Sequence, residues 1–277
     1  MKPKVAVVGD CAFVLADLMP YLSLDFDIEF IRYSRGVWDK TAGLFLKLLP
    51  VKADLFHVNY ALQGAFLVNA LKKLDVLHLH GSDIRWTANS PFLGWMVRRN
   101  VAKARKVIYA TPDLETITKR YRPDAVYLPT PVKTEVFTPK QSFNQPLRAV
   151  YFKLCYEKLP EEIPQLLQKY GISLTVLERR IPYSKMPKLL RSFDVFIDRF
   201  TIASFSKTCL EAMSCGLLTI DFRFKSLLEV WINRIAEMDE DVLKDVSRQN
   251  RAYVLEHHDA RKVAKTLSQI WRETLCT

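Results

Sequence analysis

The sequence predicts an α/β fold of two doubly wound parallel-sheet domains, followed by a helical tail. Short apolar, β-rich runs alternate with longer amphipathic runs, which is typical of parallel strands joined by helices. The chain has 277 residues, 49% of them apolar and 26% charged, which is enough for two domains with a core each. The predicted strands are Val5–Val8, Ile28–Tyr33, Leu55–Val58, Val76–His80, Lys106–Ala110, Ala125–Leu128, Arg148–Phe152, Ser173–Leu177, Val195–Asp198 and Leu218–Ile220.

A proline-rich stretch separates the two series of strands. Pro129, Pro131, Pro139 and Pro146 stand there among polar residues, which is typical of a hinge or linker. Ligands of open parallel sheets bind beyond the carboxyl ends of the strands, so we expect a site in the cleft between the two domains. The expected division is a first domain over residues 1–138, a second over residues 139–256, and a C-terminal helix within 257–277 that packs back on the first domain.

The charge of the chain suggests an anionic partner. Lys and Arg number 41 against 30 Asp and Glu, a net charge of +11. Nucleotide phosphate, nucleic acid and an acidic membrane face all fit this surplus, and a solvated helix face remains the plain alternative. No recognised reading module supports nucleic-acid binding, so nucleic acid is not among the expected partners. The cations cluster at Arg98, Arg99, Lys103, Arg105, Lys106, Lys119, Arg120 and Arg122.

The cysteines and the N-terminus bear on redox compartment and location. The five cysteines form no C-x-x-C pair, so neither a disulfide framework nor a zinc site is indicated. No metal motif is convincing, because Asp25 and Asp27 have the spacing but lie at a strand entrance. Lys2 and Lys4 lead directly into a strand without a signal pattern, and no apolar run reaches the ~18 residues of a bilayer span. We expect a cytoplasmic protein, with the inner membrane face as a possible contact.

The most informative segment is DRFTIASFSKTCLEAMSCGLLTI, residues 198–220. It predicts a strand, a loop, a helix capped by Ser206, a tight turn at Gly216 and a second strand. The N–H groups and dipole at the helix start, with Lys207, suit a diphosphate. Glu211, one turn into the helix, is placed to accept hydrogen bonds from sugar or ribose hydroxyls. A surface helix with a Lys–Glu pair is the alternative.

This segment resembles the donor-binding signature of the retaining glycosyltransferases of family four, whose two Rossmann-like domains form the fold called GT-B. The family reads roughly E-x-F-G-x-x-x-x-E-A-M-A-x-G-x-P-V-I, and residues 210–216 and 218–220 match its second half. The resemblance implies that Glu211 holds the nucleotide ribose and that Ser206, Lys207 and Thr208 contact the donor. The first glutamate of the signature would fall at Ala203 and is absent.

A second segment, YFKLCYEKL at residues 151–159, is similar to the family's G-R-L-x-x-E-K-G loop. The resemblance implies that Lys153 and Lys158 stand for the arginine and lysine that contact the donor diphosphate. The glycine of the loop is Phe152 here. Two solvated loop lysines are the alternative.

In the first domain, His80–Gly81–Ser82–Asp83 resembles the family's H-G-x-D segment. The resemblance implies that His80 lies beside the transferred sugar and that Asp83 lies on the acceptor side. Gly9 ends the first strand, where the family has a glycine loop that touches donor or acceptor. The plain alternatives are a packed histidine, a capping aspartate and a turn glycine.

The helix over residues 91–106 combines apolar residues with part of the basic cluster. One interpretation is a membrane-surface helix with apolar side chains inserted and cations on anionic head groups. The other is an ordinary helix that packs on the sheet and exposes its basic side to water.

The resemblance implies a metal-independent, retaining hexosyltransferase without a cofactor. Its donor would be a UDP- or GDP-sugar, and its acceptor the hydroxyl of a saccharide, a lipid-linked or a small molecule. The residues expected to act in catalysis are His80, Lys153, Lys158 and Glu211. The missing glutamate and glycines leave two alternatives, a non-catalytic nucleotide-sugar-binding protein of the same fold and a nucleotide-sugar epimerase.

Overall fold

The computed structural model describes residues 1–34, 36–154, 156–178 and 181–276. The chain divides into two units, Met1–Pro131 with Ala260–Thr277, and Val132–Asp259. The division follows Pro131 rather than residue 138, because Val132 and Phe137 are buried in the core of the second unit. It ends at Asp259 rather than at 256, because the N–H of Val132 donates to the carbonyl of His258 at 2.7 Å.

Each unit contains one sheet in which all neighbouring strands are parallel. The strand orders are β2-β1-β3-β4-β5-β6 and β10-β9-β7-β8. All ten predicted strands are present, with ends that differ by at most two residues. The strands are β1 (Lys4–Val8), β2 (Asp27–Ile31), β3 (Leu55–Asn59), β4 (Val76–Leu79), β5 (Lys106–Tyr109), β6 (Val126–Tyr127), β7 (Arg148–Phe152), β8 (Ser173–Leu177), β9 (Val195–Ile197) and β10 (Leu218–Ile220).

Helices connect the strands and cover the sheets. The α-helices are α1 (Val14–Leu22), α2 (Leu44–Leu48), α3 (Gln63–Leu71), α4 (Ser82–Arg85), α5 (Gly94–Lys103), α6 (Glu115–Tyr121), α7 (Glu162–Lys169), α8 (Met186–Leu190), α9 (Lys207–Ser214), α10 (Leu228–Glu237), α11 (Glu240–His257) and α12 (Ala260–Cys276). A π-helical turn over Asp39–Gly43 precedes α2, and 3₁₀ turns occur at Thr87–Asn89, Pro112–Leu114, Tyr183–Lys185 and Phe222–Phe224.

The sheet of the first unit has a core on each face. Side chains of a strand alternate between faces, so Val5 and Val7 of β1 point to one core and Ala6 and Val8 to the other. Helices α1 and α12 pack together on the first of these faces. Trp271 of α12 is fully buried there. Helices α2, α3 and α5 cover the other face.

The sheet of the second unit is also covered on both sides. Helices α8 and α9 pack on the face that carries Val150 and Phe196. Helices α7 and α10 pack on the face that carries Tyr151 and Ile197. The helices that follow β7 and β9 therefore lie on opposite faces of this sheet.

None of the helices that the structure describes combines the length and the apolar character that crossing a bilayer requires.

Candidate binding sites in the two units

The second sheet has a topological switch point between β7 and β9. The chain runs from β7 outward to β8 and then crosses to β9 and β10 on the other side of β7. The loops after β7 and β9 leave towards helices on opposite faces, which opens a crevice at the carboxyl edge. Ligands of open α/β sheets bind in such crevices. The loops that border it carry Lys153 and Lys158 on one side and lead into α9 on the other.

The start of α9 is fixed by the loop that precedes it. Ser206 is the N-cap, as predicted, and its Oγ accepts the backbone N–H of Cys209 at 3.1 Å. The buried carboxylate of Asp198 accepts the N–H of Ser206 at 2.9 Å, and the guanidinium of Arg199 donates to the carbonyl of Ser204 at 3.0 Å. Burial raises the pKa of Asp198, and the charge of Arg199 opposes that rise. The first turn of α9 is thus held in place before any ligand arrives.

Glu211 lies in a buried group with a cation and a phenol. The Oη of Tyr183 donates to Oε1 of Glu211 at 2.8 Å, and Nζ of Lys207 lies 3.8 Å from the same oxygen. The ammonium of Lys207 also lies 5.6 Å from the centre of the Tyr183 ring. Both charged side chains are almost fully buried. Thr208, the second residue of the helix, is half-buried beside them. The structure therefore brings Ser206, Lys207, Thr208 and Glu211 together in one turn and a half of helix.

Tyr183 was not among the predicted site residues. It stands 28 residues before Glu211, in the 3₁₀ turn that precedes α8. No local pattern links the two positions, because the contact depends on α8 and α9 packing on the same face of the sheet.

The two predicted diphosphate lysines are both exposed. Nζ of Lys153 lies 2.6 Å from Oε1 of Glu178, which follows β8 on the side of β7 away from β9. Lys158 is exposed further along the same loop. An exposed pair such as Lys153–Glu178 contributes about 0–1 kcal/mol, so little free energy holds this ammonium in place.

Glu157 joins the two loops that border the crevice. Its Oε1 accepts the backbone N–H of Phe200 at 2.6 Å, and its Oε2 accepts the hydroxyl of Thr201 at 2.6 Å. The hydroxyl of Tyr151 donates to the carbonyl of Glu157 at 3.2 Å. This carboxylate therefore sets the distance between the loop after β7 and the loop after β9. Its role was not predicted from the sequence, since its partners lie more than 40 residues away.

The first sheet has its switch point between β1 and β3. Gly9 follows β1 with a φ of 72°, and Asn59 ends β3. The amide nitrogen of Asn59 donates to the carbonyl of Gly9 at 2.8 Å, and its Oδ1 lies 2.7 Å from Nε2 of His80. An amide oxygen only accepts, so Nε2 of His80 carries the proton and Nδ1 of a neutral ring is an acceptor. Asn59 links two predicted site residues, Gly9 and His80, although it was not itself predicted.

His80 is a neutral imidazole at pH 7. Desolvation lowers its pKa to about 3, and its ring lies 4.1 Å from that of His78. A base with so low a pKa takes up a proton poorly at neutral pH, whereas it still accepts a hydrogen bond. The ring is therefore suited to positioning a hydroxyl group.

Asp83 is fully buried and its carboxylate is occupied by backbone groups. It accepts the N–H groups of Gly81 at 2.9 Å, Ile84 at 3.0 Å and Ala61 at 3.2 Å. Burial raises its pKa, and these hydrogen bonds oppose the rise. Asp83 thus ties the loop after β4 to Ala61, and its contact with an acceptor stays a prediction.

Backbone strain concentrates at the carboxyl edge of the first sheet. Tyr60, Ala12 and Phe13 have φ values of 69°, 49° and 61°, which side chains other than glycine rarely adopt. The carboxylate of Asp10 accepts the N–H of Leu15 at 2.9 Å, so it occupies the start of α1. In the first unit, the carboxylate of Asp10 therefore satisfies a backbone N–H group at the N-terminus of α1.

Within the described residues, no three His, Cys, Asp or Glu side chains have an arrangement suited to holding a metal ion. The buried thiols are protonated, because burial raises the pKa of Cys215 to about 12 and that of Cys209 well above its ordinary value.

Comparison with known proteins gives matches only among solved structures. No protein-family model and no curated protein sequence matches the chain. Sucrose-phosphate synthase from Thermosynechococcus elongatus matches with a TM-score of 0.70 and 13% identity, over 99% of this chain and 100% of that one. The catalytic domain of starch synthase IV from Arabidopsis thaliana, bound to ADP and acarbose, matches with a TM-score of 0.64 and 10% identity, over 100% of both chains.

A third match is the N-terminal domain of trehalose-6-phosphate phosphatase from Candida albicans, with a TM-score of 0.67 and 10% identity over 99% of both chains. Likeness at such identities establishes the fold. It agrees with the two parallel sheets and with the predicted fold class. The chain is an α/β protein with a GT-B-like fold, similar in structure to known glycosyltransferases.

Proposed function

We propose that this chain is a glycosyltransferase that moves a sugar from a nucleotide-diphosphate sugar to a hydroxyl acceptor with retention of anomeric configuration. The observation that carries the proposal is the buried group of Lys207, Glu211 and Tyr183 at the start of α9, beside the switch point of the second sheet.

The chemistry of this group fits the donor's ribose and diphosphate. A carboxylate without bulk water around it makes strong hydrogen bonds to ribose hydroxyls, and Glu211 is such a carboxylate. The helix dipole at the start of α9 and the ammonium of Lys207 favour the charge of the diphosphate. In the proposed complex, the diphosphate competes with Glu211 for Lys207 and leaves the carboxylate to the ribose.

Lys153 and Lys158 supply mobile positive charge on the other side of the crevice. Breaking the bond at the anomeric carbon builds negative charge on the leaving diphosphate, and cations that contact this charge lower the barrier of that step. Lys153 is held only by an exposed ion pair, so its ammonium moves from Glu178 to a phosphate at little cost. These two residues are proposed to act in catalysis with Glu211.

His80 is proposed to position a sugar or acceptor hydroxyl through Nδ1. Asn59 fixes the tautomer that makes Nδ1 an acceptor, and the ring stays neutral at pH 7. In this proposal His80 orients a hydroxyl, and proton transfer to His80 contributes little.

Glu211→Gln should weaken binding of UDP- or GDP-sugars by about tenfold to a hundredfold, because the amide loses the charge of the ribose acceptor while keeping its shape. Isothermal titration calorimetry against a panel of these donors measures the effect. Glu229→Gln is the matched control, because exposed Glu229 also accepts from a lysine and a tyrosine, Lys169 at 2.6 Å and Tyr170 at 3.1 Å. Equal affinities for the two variants would remove Glu211 from the site.

The non-catalytic alternative rests on Ala203, which stands where the resemblance implies a glutamate. Release of free nucleotide diphosphate in the presence of an acceptor extract distinguishes the possibilities. Donor binding without turnover would identify a nucleotide-sugar-binding protein, and donor conversion without any acceptor would identify an epimerase. Either result would contradict the proposed transfer.

A further inference from the structure

Most of the net positive charge of the chain lies in the first unit. That unit has 22 Lys and Arg against 13 Asp and Glu, a net charge of +9, while the second unit has +2. An anionic diphosphate bound in the second unit does not account for a surplus located in the first. The distribution therefore points to a second anionic partner for the first unit.

The surplus is marked on three of the helices that cover one face of the first sheet. Helix α6, which packs on the same core through Ile117 and Tyr121, contains the acid Glu115 as well as two cations. Helices α2, α3 and α5 contain four cations and no acidic residue. A solvated helix face ordinarily carries both signs, as α11 does with four acids and three bases. The four cations are Lys47, Arg98, Arg99 and Lys103.

These helices and the connections that lead into them present large apolar side chains to solvent. Trp38 is 82% exposed, Phe92 83% and Leu46 64%. Trp38 lies in the connection from β2 to α2 and Phe92 in the connection from β4 to α5, so both belong to the carboxyl edge of the sheet. Apolar exposure of this kind on a basic surface marks an interaction site rather than a solvated face. We call Trp38, Phe45, Leu46, Phe92 and Trp95, with the four cations, the aromatic–basic face.

Contacts between helices join the parts of this face. The rings of Phe66 and Trp95 meet edge to face at 5.7 Å, and the guanidinium of Arg99 lies 5.1 Å from the Phe66 ring centre. Asp39, in the π-helical turn before α2, pairs with Lys47 at 2.8 Å. Arg98, Arg99 and Lys103 remain as the cations that meet a partner.

We infer that the aromatic–basic face docks on an anionic lipid surface. Exposed Trp and Phe side chains insert at the boundary between head groups and acyl chains, and Lys and Arg attract anionic lipids. A second copy of this chain would bring like charges together. Nucleic acid would match the charge but gives no reason for exposed aliphatic side chains such as Leu46. The inference is independent of sugar transfer, since it concerns only the first unit.

Co-sedimentation with vesicles tests it. At low salt, the protein should pellet with vesicles of equal parts phosphatidylglycerol and phosphatidylcholine, and at least about tenfold less with pure phosphatidylcholine. Trp38→Ser with Phe92→Ser should weaken that binding by about tenfold or more, since both side chains lose the contact with lipid. The control is Leu227→Ser with Val230→Ser, which replaces two exposed apolar residues of the second unit and should bind as the wild type does. Circular dichroism checks that both variants fold.

Four results would overturn the inference. The first would be a wild-type protein that stays in the supernatant with anionic vesicles. The second would be a Trp38/Phe92 variant that pellets as fully as the control. The third would be a dimer, detected by light scattering, that dissociates only in the Trp38/Phe92 variant, which would assign the face to a second copy of the chain. The fourth would be a Trp38/Phe92 variant that no longer binds random-sequence DNA but still binds vesicles, which would assign the face to nucleic acid. A failure of nucleotide-sugar binding would leave the inference untouched.

Discussion

Asp194→Ala should lower the free energy of unfolding by about 3–5 kcal/mol, because it leaves a buried lysine without its counter-ion. Asp194 is fully buried and forms an ion pair with Lys140, whose side chain is only 5% exposed. The carboxylate also accepts the backbone N–H groups of Asn144 at 3.0 Å and Arg148 at 2.7 Å. The substitution therefore strands an ammonium and two N–H groups at the base of β7 and β9.

Urea unfolding followed by circular dichroism measures this effect against a matched control. Glu178→Ala breaks the exposed pair with Lys153, which is worth about 0–1 kcal/mol. The two variants compare a buried lysine–carboxylate pair with an exposed one. Similar losses of unfolding free energy in both variants would contradict the stabilising role of the buried Asp194–Lys140 pair.

The free energy of unfolding should fall by about 6 kcal/mol between pH 7 and pH 5 through three histidines of the first unit. His80, whose pKa is lowered to about 3, contributes about 2 kcal/mol of this loss, and the fully buried His57 and His78 contribute about 4 kcal/mol. Burial lowers the pKa of His57 to about 3 and that of His78 well below its ordinary value. Below about pH 6.5 the unfolded chain protonates both rings while the folded chain protonates neither. Each ring then removes about 1.4 kcal/mol of stability per pH unit. Above about pH 7.5 the rings of the unfolded chain are neutral as well, so neither ring contributes to the pH dependence.

The surroundings of these rings explain why protonation is so unfavourable. Nδ1 of His57 accepts from the indole N–H of Trp271 at 3.0 Å, and neither ring nitrogen of His78 has a hydrogen-bond partner within the described part of the chain. The neighbouring titratable ring is His80, whose charge would repel a proton on either. No acid is among the causes that shift these two rings.

His78→Phe isolates the contribution of one ring. The variant removes one titrating group and two buried ring nitrogens, while His57 and His80 still titrate, so the loss between pH 7 and pH 5 should shrink to about 4 kcal/mol. Its free energy of unfolding at pH 7 should equal or exceed that of the wild type, since two unsatisfied polar atoms disappear. Urea titrations at the two pH values measure both quantities. An unchanged loss would show that His78 already takes up a proton in the folded state, which contradicts its lowered pKa.

The strands were predictable because their apolar residues form short runs in the sequence. β7, β8 and β10 have the predicted ends, since each is a short apolar run bounded by polar or turn residues. The unit boundary was less predictable, because Val132 and Phe137 are apolar residues whose spacing gives no indication of which core they join. Short elements such as α4, with four residues, have no periodicity to detect.

The candidate site was predictable only where it is local. The cap at Ser206 and the position of Glu211 follow from helix periodicity within one segment. Tyr183, Asn59 and Glu157 make the contacts that shape the two sites, and each does so with residues at least 21 positions away. Such contacts depend on which strands are neighbours, which one sequence does not reveal.

Hydrogen exchange with and without a bound nucleotide sugar tests the central claim most directly. A donor held by Glu211 and the start of α9 should slow exchange of the backbone N–H groups in residues 199–211 and 181–186, with wild-type exchange in the sheet behind them. The same titration on Glu211→Gln should lose that protection. Donor binding that protects neither segment would contradict the account.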